Sequence, residues 1–297
     1  MSRPTPELRH SVSDALASKR ELSASTLRTY TSLLSNTLVK LGQDSPEYLS
    51  KHVDQVLAHI DKLESAQTRK TTLSALVVLT GDSAYSKAML ANIATVAAKY
   101  KEQRVDPDRV AKLKTMNEIR QIHANLMAAY KKSPTQENTV NVLISGMMSG
   151  VYEGTPPRRL MDYTEMQISD FDKKTDNYVG TKTFVFHKYK TSNHDRKKGI
   201  DGAELPIPLE LRTIINKWKK VNECSYLLVN NKDQKFTSST LNKRLTSIYN
   251  FGCDMLRSIF LSDRYKNLPA LIDMEKTAAG MSHSVDSALL FYTKKGV

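Results

Sequence analysis

Two arginines, a lysine, a histidine and a tyrosine stand in an order that could transfer a phosphoryl group. The arginines, Arg159 and Arg257, are 98 residues apart, and Lys190 lies between them. Tyr292 follows His283 by nine residues near the end of the sequence. Phosphoryl transfer without a metal ion needs cationic side chains around the phosphate, a protein nucleophile and a proton donor for the leaving oxygen. These five side chains together supply those groups.

The overall charge of the chain favours a polyanionic partner. Its 297 residues include 44 lysines and arginines against 31 aspartates and glutamates, which gives a formal net charge of +13 and a pI of about 9.5. Nucleic acid is the first expectation, because cationic side chains that neutralise its phosphates release condensed counterions. The alternative is a basic protein that has no such partner.

Several kinds of active site are missing from the sequence. It contains no Gly-rich nucleotide-binding loop, no G-x-S-x-G motif and no H-E-x-x-H motif. The seven histidines are scattered, and no carboxylate cluster is typical of a magnesium site. An enzyme of this sequence that acts on DNA is therefore expected to need no metal ion, no nucleotide and no other cofactor.

Composition and patterning predict a soluble intracellular protein. Hydrophobic residues make up 40% of the chain and charged residues 25%, as in globular proteins. The N-terminus lacks the apolar segment of a signal peptide, and no stretch reaches the roughly 20 apolar residues that span a bilayer. The only two cysteines, Cys224 and Cys253, cannot build a disulfide framework and do not have metal-ligand spacing, so a reducing compartment is expected.

The elements that must position these groups fall into two parts. Residues 1–22 are polar and predict a flexible lead-in, and residues 23–104 contain four stretches with the apolar spacing of helices. Arg28, Arg69 and Lys70 lie on the polar surfaces of this helical domain. Residues 105–114 are polar and contain Pro107, which predicts a linker.

The second part, residues 115–297, predicts helices with a small sheet. Helical spacing resumes at 115–131 and 136–152, and "GTPP" then breaks the chain before a short helix in "RRLMDYTEMQ". The period changes at "NYVGTKTFVFHKYK" (177–190), which predicts a strand, and "AELPIPL" predicts its return after a polar hairpin turn. From Glu210 onward the pattern is mostly helical. The predicted fold class is mainly α with a small β-sheet (α+β).

The candidate residues stand in motifs that resemble those of the tyrosine recombinase (phage-type integrase) family. "RRLMDYTEMQISDFD" is similar to the first arginine box of the family, "FHKYKTS" to its lysine segment and "DMLRS" to its H-x-x-R box. "MSHS" followed by Tyr292 is similar to the "LGHS…Y" ending. The opening "SASTLRTYTSLLSNTLVKLG" resembles the first helix of the family's DNA-clamping N-terminal domain, so the resemblance covers nearly the whole chain.

The resemblance implies both an architecture and a mechanism. It implies a helical core-binding domain at 23–104 and a catalytic domain at 115–297. The two domains would close around double-stranded DNA as a C-shaped clamp with its hinge at 105–114. Four copies of the chain would assemble on two duplexes. Tyr292 would attack one strand to form a 3′-phosphotyrosyl link, with Lys190 as general acid. Arg159, Arg257 and His283 would bind the non-bridging oxygens. Arg28, Arg69, Lys70 and Arg158 are the further residues expected to contact DNA.

Two positions of the catalytic set leave alternatives open. Arg158 competes with Arg159, since neighbouring helical residues point about 100° apart and only one can face the site; the eleven-residue distance to Asp170 favours Arg159. Lys182 and Lys188 lie close to Lys190, and a lysine-rich strand is also compatible with a solvated face.

One departure from the family pattern concerns the first position of the H-x-x-R box. The family has histidine there, or lysine in type IB topoisomerases, whereas this chain has Asp254. A carboxylate beside the phosphate would repel it, unless Asp254 pairs with Arg257 one turn on or turns away. Because a phosphate-stabilising donor is worth roughly 10²–10³ in rate, the resemblance predicts a slow or inactive enzyme.

Several functions therefore compete. The first is a site-specific recombinase or integrase; a type IB topoisomerase or a telomere-resolving enzyme would use the same chemistry. A DNA-binding structural protein that kept the fold without turnover is the alternative motivated by Asp254, and an unrelated basic helical binding protein is the last. "TPPRRLMDY" is similar to recombinases of large eukaryotic DNA viruses and mobile elements, so the expected location is wherever the DNA lies: a nucleus, a nucleoid or a viral factory.

Overall fold

The fold was described from a computed structural model of the chain. The structure describes residues 3–103, 110–199, 202–280 and 284–287. His283, Tyr292 and residues 105–109 of the predicted linker lie outside the described residues. The described part forms two compact units: residues up to 103 with 269–280 and 284–287, and residues from 110 to 268.

The first unit is helical. Its N-terminal helices are α1 (Pro6–Lys19), α2 (Ala24–Lys40), α3 (Tyr48–Lys51), α4 (Val53–Asp61), α5 (Ala66–Thr80) and α6 (Ser83–Lys101). Four of them begin at a side chain that accepts a hydrogen bond from a backbone N–H of the first turn: Thr5, Ser23, Ser65 and Asp82. Local capping therefore sets where these helices start.

Helix α1 corrects the prediction of a flexible lead-in over residues 1–22, which is wrong for residues 6–19. Leu8, Val12 and Leu16 are spaced by four residues, lie on one helical face and are buried in the core of this unit. Burial of these three side chains stabilises the helix, although the rest of its surface is polar.

The second unit combines helices with a small sheet, which confirms the α+β prediction. Its helices are α7 (Met116–Lys132), α8 (Gln136–Met148), α9 (Leu160–Thr164), α10 (Ser192–Lys197), α11 (Leu209–Trp218), α12 (Ser238–Tyr249) and α13 (Cys253–Arg264). The described strands are β1 (Met166–Gln167), β2 (Asn177–Val179), β3 (Thr183–Phe186) and β4 (Ala203–Pro206). They form one sheet in the order β1-β2-β3-β4, in which the β1–β2 pair is parallel and the other pairs are antiparallel. Helix α10 lies in the connection that the sequence predicts as a polar turn.

The chain reaches the arginine segment through two glycine turns after α8. Gly150 has a φ of 75° and Gly154 a φ of 76°, values that favour glycine. A β-carbon at Gly150 would also lie 2.3 Å from the ring of Phe260. Glycine at this position therefore lets the backbone pass close to α13 before it turns toward Arg159.

A chain of hydrogen bonds around His123 joins four helices inside the second unit. Tyr249 Oη lies 2.6 Å from Ser145 Oγ, which lies 3.0 Å from His123 Nδ1. His123 Nε2 lies 2.9 Å from Tyr152 Oη, which donates to Glu210 at 2.8 Å. Because Tyr152 gives its one proton to the carboxylate, its oxygen must accept from His123 Nε2–H. His123 Nδ1 then accepts from Ser145, which defines a neutral Nε2–H tautomer.

His123 is expected to make the stability of this unit depend on pH. Burial lowers the pKa of His123, and the charge of Glu210 opposes that effect. The unfolded chain then takes up the proton first, so stability should fall as the pH drops below the ordinary histidine pKa of about 6.5. Urea unfolding between about pH 7.5 and about pH 5.5 should show a larger loss for wild type than for His123→Gln, whose amide does not titrate. Equal losses in the two proteins would contradict this expectation.

The remaining described helices are α14 (Leu271–Gly280) and α15 (Val285–Ser287), which belong to the first unit. Lys101 of α6 pairs with Glu275 of α14 at 2.9 Å, and Gln103 Oε1 accepts from the backbone N–H of Leu271 at 2.9 Å. The sequence analysis places this segment in the catalytic domain 115–297, and those domain boundaries stay a prediction. No helix within the described ranges is long and apolar enough to cross a membrane.

Candidate active site

The predicted catalytic residues of the second unit lie at the ends of short elements. Arg159 is the N-cap residue of α9 and is exposed, Lys190 follows β3 in an exposed turn, and Arg257 is half-buried on α13. Asp254 lies in the first turn of the same helix. His283 and Tyr292 are outside the described residues, so their roles stay predictions.

A cleft of about 250 Å³ lies where the arginine segment meets the start of α13. Its lining comes from three segments and consists of Arg159, Leu160, Met161, Ser238, Asn242, Cys253 and Asp254. The side chains of Arg159 and Asp254, 95 residues apart in sequence, thus share one cleft. Cationic and anionic groups lie together at the place where the sequence motifs predict phosphate binding.

Cys253 fixes α13 to the arginine segment. Its thiol donates to the backbone oxygen of Arg158 at 3.2 Å, and its backbone N–H donates to Asn242 Oδ1 at 3.2 Å. Burial raises the pKa of this thiol to about 11, so it stays protonated at neutral pH and can donate. Cys253 was expected to serve neither a disulfide nor a metal, and its position directly before Asp254 is the signal in the sequence that could have indicated this contact.

Asp254 pairs with Arg257, one of the two arrangements that the sequence analysis leaves open for it. Asp254 Oδ1 lies 3.6 Å from Arg257 Nη1, and 89% of the Asp254 side chain is exposed against 33% for Arg257. An exposed i,i+3 pair of this length contributes little to stability. Its consequence is electrostatic, because the Asp254 carboxylate, which lines the cleft, reduces the positive potential of the neighbouring Arg257.

Asp162 pairs with Arg158, the neighbour of the predicted catalytic Arg159. Arg158 Nε donates to Asp162 Oδ2 at 2.8 Å, and the guanidinium carbon lies 4.3 Å from the ring centre of Phe186 and 5.3 Å from that of Tyr189. Only 19% of the Arg158 side chain is exposed. The structure therefore gives Arg158 an internal role, and its contact with DNA stays a prediction.

The buried carboxylate of Asp162 carries the negative charge of the arginine segment, and Arg158 is its contact. Burial raises its pKa, while the positive charges of Arg158, Arg159 and Arg257 act in the opposite direction. Its Oδ1 has no hydrogen-bond partner among the described residues. Arg159 and Arg257, distant in sequence, are thus brought within electrostatic range of one group.

Among the lysines of the predicted lysine segment, Lys188 is the one held in an ion pair. Its amine pairs with Asp176, and this hydrogen bond raises the pKa of Lys188. Lys182 and Lys190 are both exposed, and Lys190 follows the buried Tyr189, which lies beside the Arg158 guanidinium. The catalytic role of Lys190 stays a prediction.

The predicted DNA-binding residues of the first unit differ in their surroundings. Arg28 is exposed on α2, and Lys70 is half-buried on α5. Arg69 donates to the backbone oxygens of Leu63 and Glu64 and, at 3.2 Å, to Asn92 Oδ1. Arg69 therefore holds the turn before α5 against α6, which the sequence pattern did not indicate. DNA contact by these three residues stays a prediction.

Metal-ligating groups do not converge in the part of the chain that the structure describes. No three histidine, cysteine, aspartate or glutamate side chains there form a group that could hold an ion.

Comparison with known proteins gives distant structural likenesses. No family model matches the chain, and no curated protein gives a significant match. The chain is similar to XerA recombinase at 14% identity and a TM-score of 0.35, over 98% of this chain and 94% of that one. It is also similar to lambda integrase residues 75–356, in a dimer bound to a COC′ core site, at 18% identity and a TM-score of 0.47, over 89% and 91% of the two chains.

A lambda integrase tetramer bound to a Holliday junction is similar at 16% identity and a TM-score of 0.48, over 88% of this chain and 73% of that one. These proteins are named recombinase and integrase, the class that the sequence motifs resemble.

Proposed function

We propose that this chain is a site-specific DNA recombinase or integrase that cuts and rejoins strands through a 3′-phosphotyrosyl intermediate. The observation that carries the proposal is that Arg159 lines one cleft with Asp254, and that Arg257, 98 residues after Arg159, lies 3.6 Å from Asp254. Guanidinium groups beside one cleft are suited to bind the non-bridging oxygens of a phosphodiester.

The proposed cleavage step conserves the phosphodiester bond energy. The hydroxyl oxygen of Tyr292 attacks the phosphorus, the Tyr292 O–P bond forms, and the bond from phosphorus to the 5′-oxygen breaks. Lys190 gives a proton to the leaving 5′-oxygen, while the phenol proton passes to solvent, from which Lys190 is reprotonated. Rejoining is the reverse attack by a 5′-hydroxyl and needs neither ATP nor a metal ion.

The cationic side chains act on the charge that develops on the phosphate. Arg159, Arg257 and His283 are the proposed ligands of the two non-bridging oxygens. Donors fixed before the reaction stabilise that charge without reorganising, and each is worth roughly 10²–10³ in rate. Double-stranded DNA is the proposed partner, bound as a homotetramer on two duplexes, and the net charge of +13 supports a polyanionic partner.

The test uses a pool of short labelled duplexes, each nicked so that the cut fragment diffuses away. Wild-type protein is incubated with the pool in chelator and without ATP, then denatured, and the DNA-linked protein is digested and its peptides identified by mass spectrometry. A DNA adduct on the peptide that contains Tyr292 is expected. An adduct on another residue would contradict the proposed nucleophile.

Asp254 motivates the second candidate, a DNA-binding structural protein of the same fold with little or no turnover. Its carboxylate lies 3.6 Å from Arg257 and would repel a phosphate in the cleft. This candidate predicts salt-sensitive DNA binding without an adduct. A type IB topoisomerase differs from both the recombinase and the structural protein because it would relax any supercoiled DNA circle, whatever the DNA sequence.

Replacing Asp254 with histidine is expected to raise the rate of adduct formation by about 10–10²-fold, because it removes a negative charge and adds a phosphate donor. Asp254→Asn should give a smaller rise, since it removes only the charge. Single-turnover rates on one duplex measure both. Asp263→Asn, on the same helix and outside the cleft lining, is the matched control. A fall in rate with both Asp254 variants would show that the carboxylate assists the reaction.

A further inference from the structure

Asn177 is a fully buried amide at the start of β2, and it uses all of its hydrogen-bonding capacity. Its Nδ2 donates to the backbone oxygen of Asp162 at 3.0 Å and to that of Lys188 at 2.8 Å. Its Oδ1 accepts from the backbone N–H groups of His187 at 2.8 Å and Lys188 at 2.6 Å. An amide has two donors and two acceptor positions, so none remains.

The two segments that Asn177 joins carry two proposed catalytic groups. Asp162 is three residues after Arg159, and Lys188 is two residues before Lys190. The buried side chain of Asn177 therefore connects the backbone segment that carries Arg159, the proposed phosphate ligand, to the segment that carries Lys190, the proposed proton donor.

The backbone directly after β3 is bonded to this amide. The last β3–β4 pair among the described residues is Phe186–Ala203. At the two residues that follow Phe186, the Asn177 amide accepts the backbone N–H groups of His187 and Lys188 and donates to the carbonyl of Lys188.

Other contacts also hold this segment. Lys188 pairs with Asp176, but 48% of the Lys188 side chain is exposed, and exposed ion pairs contribute little. Tyr189 is buried in the core beside the Arg158 guanidinium, and its backbone oxygen accepts from the N–H of Ser192 at 3.0 Å. The Asn177 amide adds a buried, hydrogen-bonded link between this segment and the backbone of Asp162.

We propose that Asn177 is a positioning residue that sets the distance between Lys190 and Arg159 in strand transfer. This inference rests on the proposed function. It predicts that loss of the amide impairs proton donation to the leaving 5′-oxygen more than it impairs phosphate binding.

The test compares two versions of the duplex that wild type cleaves: one with the ordinary 5′-oxygen at the scissile phosphate and one with sulfur in its place. A thiol has a pKa of about 8.5, so a thiolate leaves without a general acid. Asn177→Ala is expected to slow cleavage of the oxygen duplex by about 10²-fold, the typical size of a general-acid contribution. Its rate on the sulfur duplex should stay within about threefold of wild type, and Lys190→Ala should show the same pattern.

Asn222→Ala is the matched control, because the Asn222 amide also bridges backbone groups, those of Tyr226 and Cys224, in a turn that carries none of the proposed catalytic residues. Its oxygen-to-sulfur rate ratio should equal that of wild type. If Asn177→Ala does not fold by circular dichroism, the nearly isosteric Asn177→Asp, which lacks the two donors, replaces it.

Two results for Asn177→Ala would overturn the positioning role. Equal slowing on both duplexes would show a purely structural effect, and no slowing on either duplex would show that the amide has no effect on cleavage. Failure of the proposed function would give a different result, because the wild-type protein would then form an adduct with neither duplex. The proposed role of Asn177 would be contradicted at the same time.

Discussion

The Tyr292→Phe variant is expected to form no covalent complex with DNA. Phenylalanine lacks the one oxygen that bonds to phosphorus, so cleavage should fall below detection while charge and shape are kept. DNA affinity should remain within about threefold of wild type, because phosphate contacts by cationic side chains dominate binding. The measurement is a denaturing gel of labelled, nicked duplexes, with a binding titration on the same preparations.

Tyr265→Phe is the matched control for this prediction. Tyr265 follows α13, is 56% exposed and is not part of the cleft lining. Its variant should form the adduct at the wild-type rate. A persistent adduct in Tyr292→Phe would identify a different nucleophile and remove the basis of the proposed mechanism.

Arg158→Ala is expected to lose stability and Arg159→Ala to lose activity, although the two residues are neighbours in sequence. Removal of Arg158 leaves the carboxylate of Asp162, 4% exposed, without its ion-pair partner, and breaking a buried pair costs about 3–5 kcal/mol of stability. Arg159 is exposed, so its loss should change stability by less than about 0.5 kcal/mol. Its loss should slow adduct formation by about 10²–10³-fold, because a phosphate ligand is removed. Urea unfolding and single-turnover rates separate the two effects.

The double variant Arg158→Ala/Asp162→Asn tests the cause of the instability. It removes the buried charge together with its partner, so it should recover part of the stability that Arg158→Ala loses. The loss in Arg158→Ala should also shrink as the pH falls, because a protonated Asp162 no longer carries an unpaired charge. Wild-type stability in Arg158→Ala, or full activity in Arg159→Ala, would contradict the assignment of these two arginines.

Much of the local structure could be read from the sequence, because helix formation depends on residues within a turn or two. Most helices of both units follow the apolar spacing, and β2, β3 and β4 lie close to where the period changes. Helix α10 has no apolar residue and lies in the predicted turn, and β1 lies at the end of the segment predicted as a short helix. The four-residue spacing of Leu8, Val12 and Leu16 is also present in the sequence, but the polar composition of residues 1–22 led to the prediction of a flexible segment. Composition alone does not decide order when three apolar side chains on one face can be buried.

The sequence predicts which residues belong to the candidate site, but not which residues each of them contacts. The order and spacing of Arg159, Lys190 and Arg257 single them out from 44 lysines and arginines. The i,i+4 spacing of Arg158 and Asp162 is compatible with their pair, but no local pattern indicates that Arg69 binds backbone oxygens or that Asp254 shares a cleft with Arg159.

The fold class, the order of most helices and strands, and the residue types that could act on a phosphate therefore follow from local sequence, whereas α1, α10 and β1 were not among the predicted elements. The tertiary structure decided which of those residues are free to act and which hold others in place. The deciding contacts, such as Cys253 with the Arg158 backbone and Asn177 with those of Asp162 and Lys188, join residues between 11 and 95 positions apart. Buried polar groups must find partners, and which partner is within reach depends on how distant segments pack, not on a local pattern.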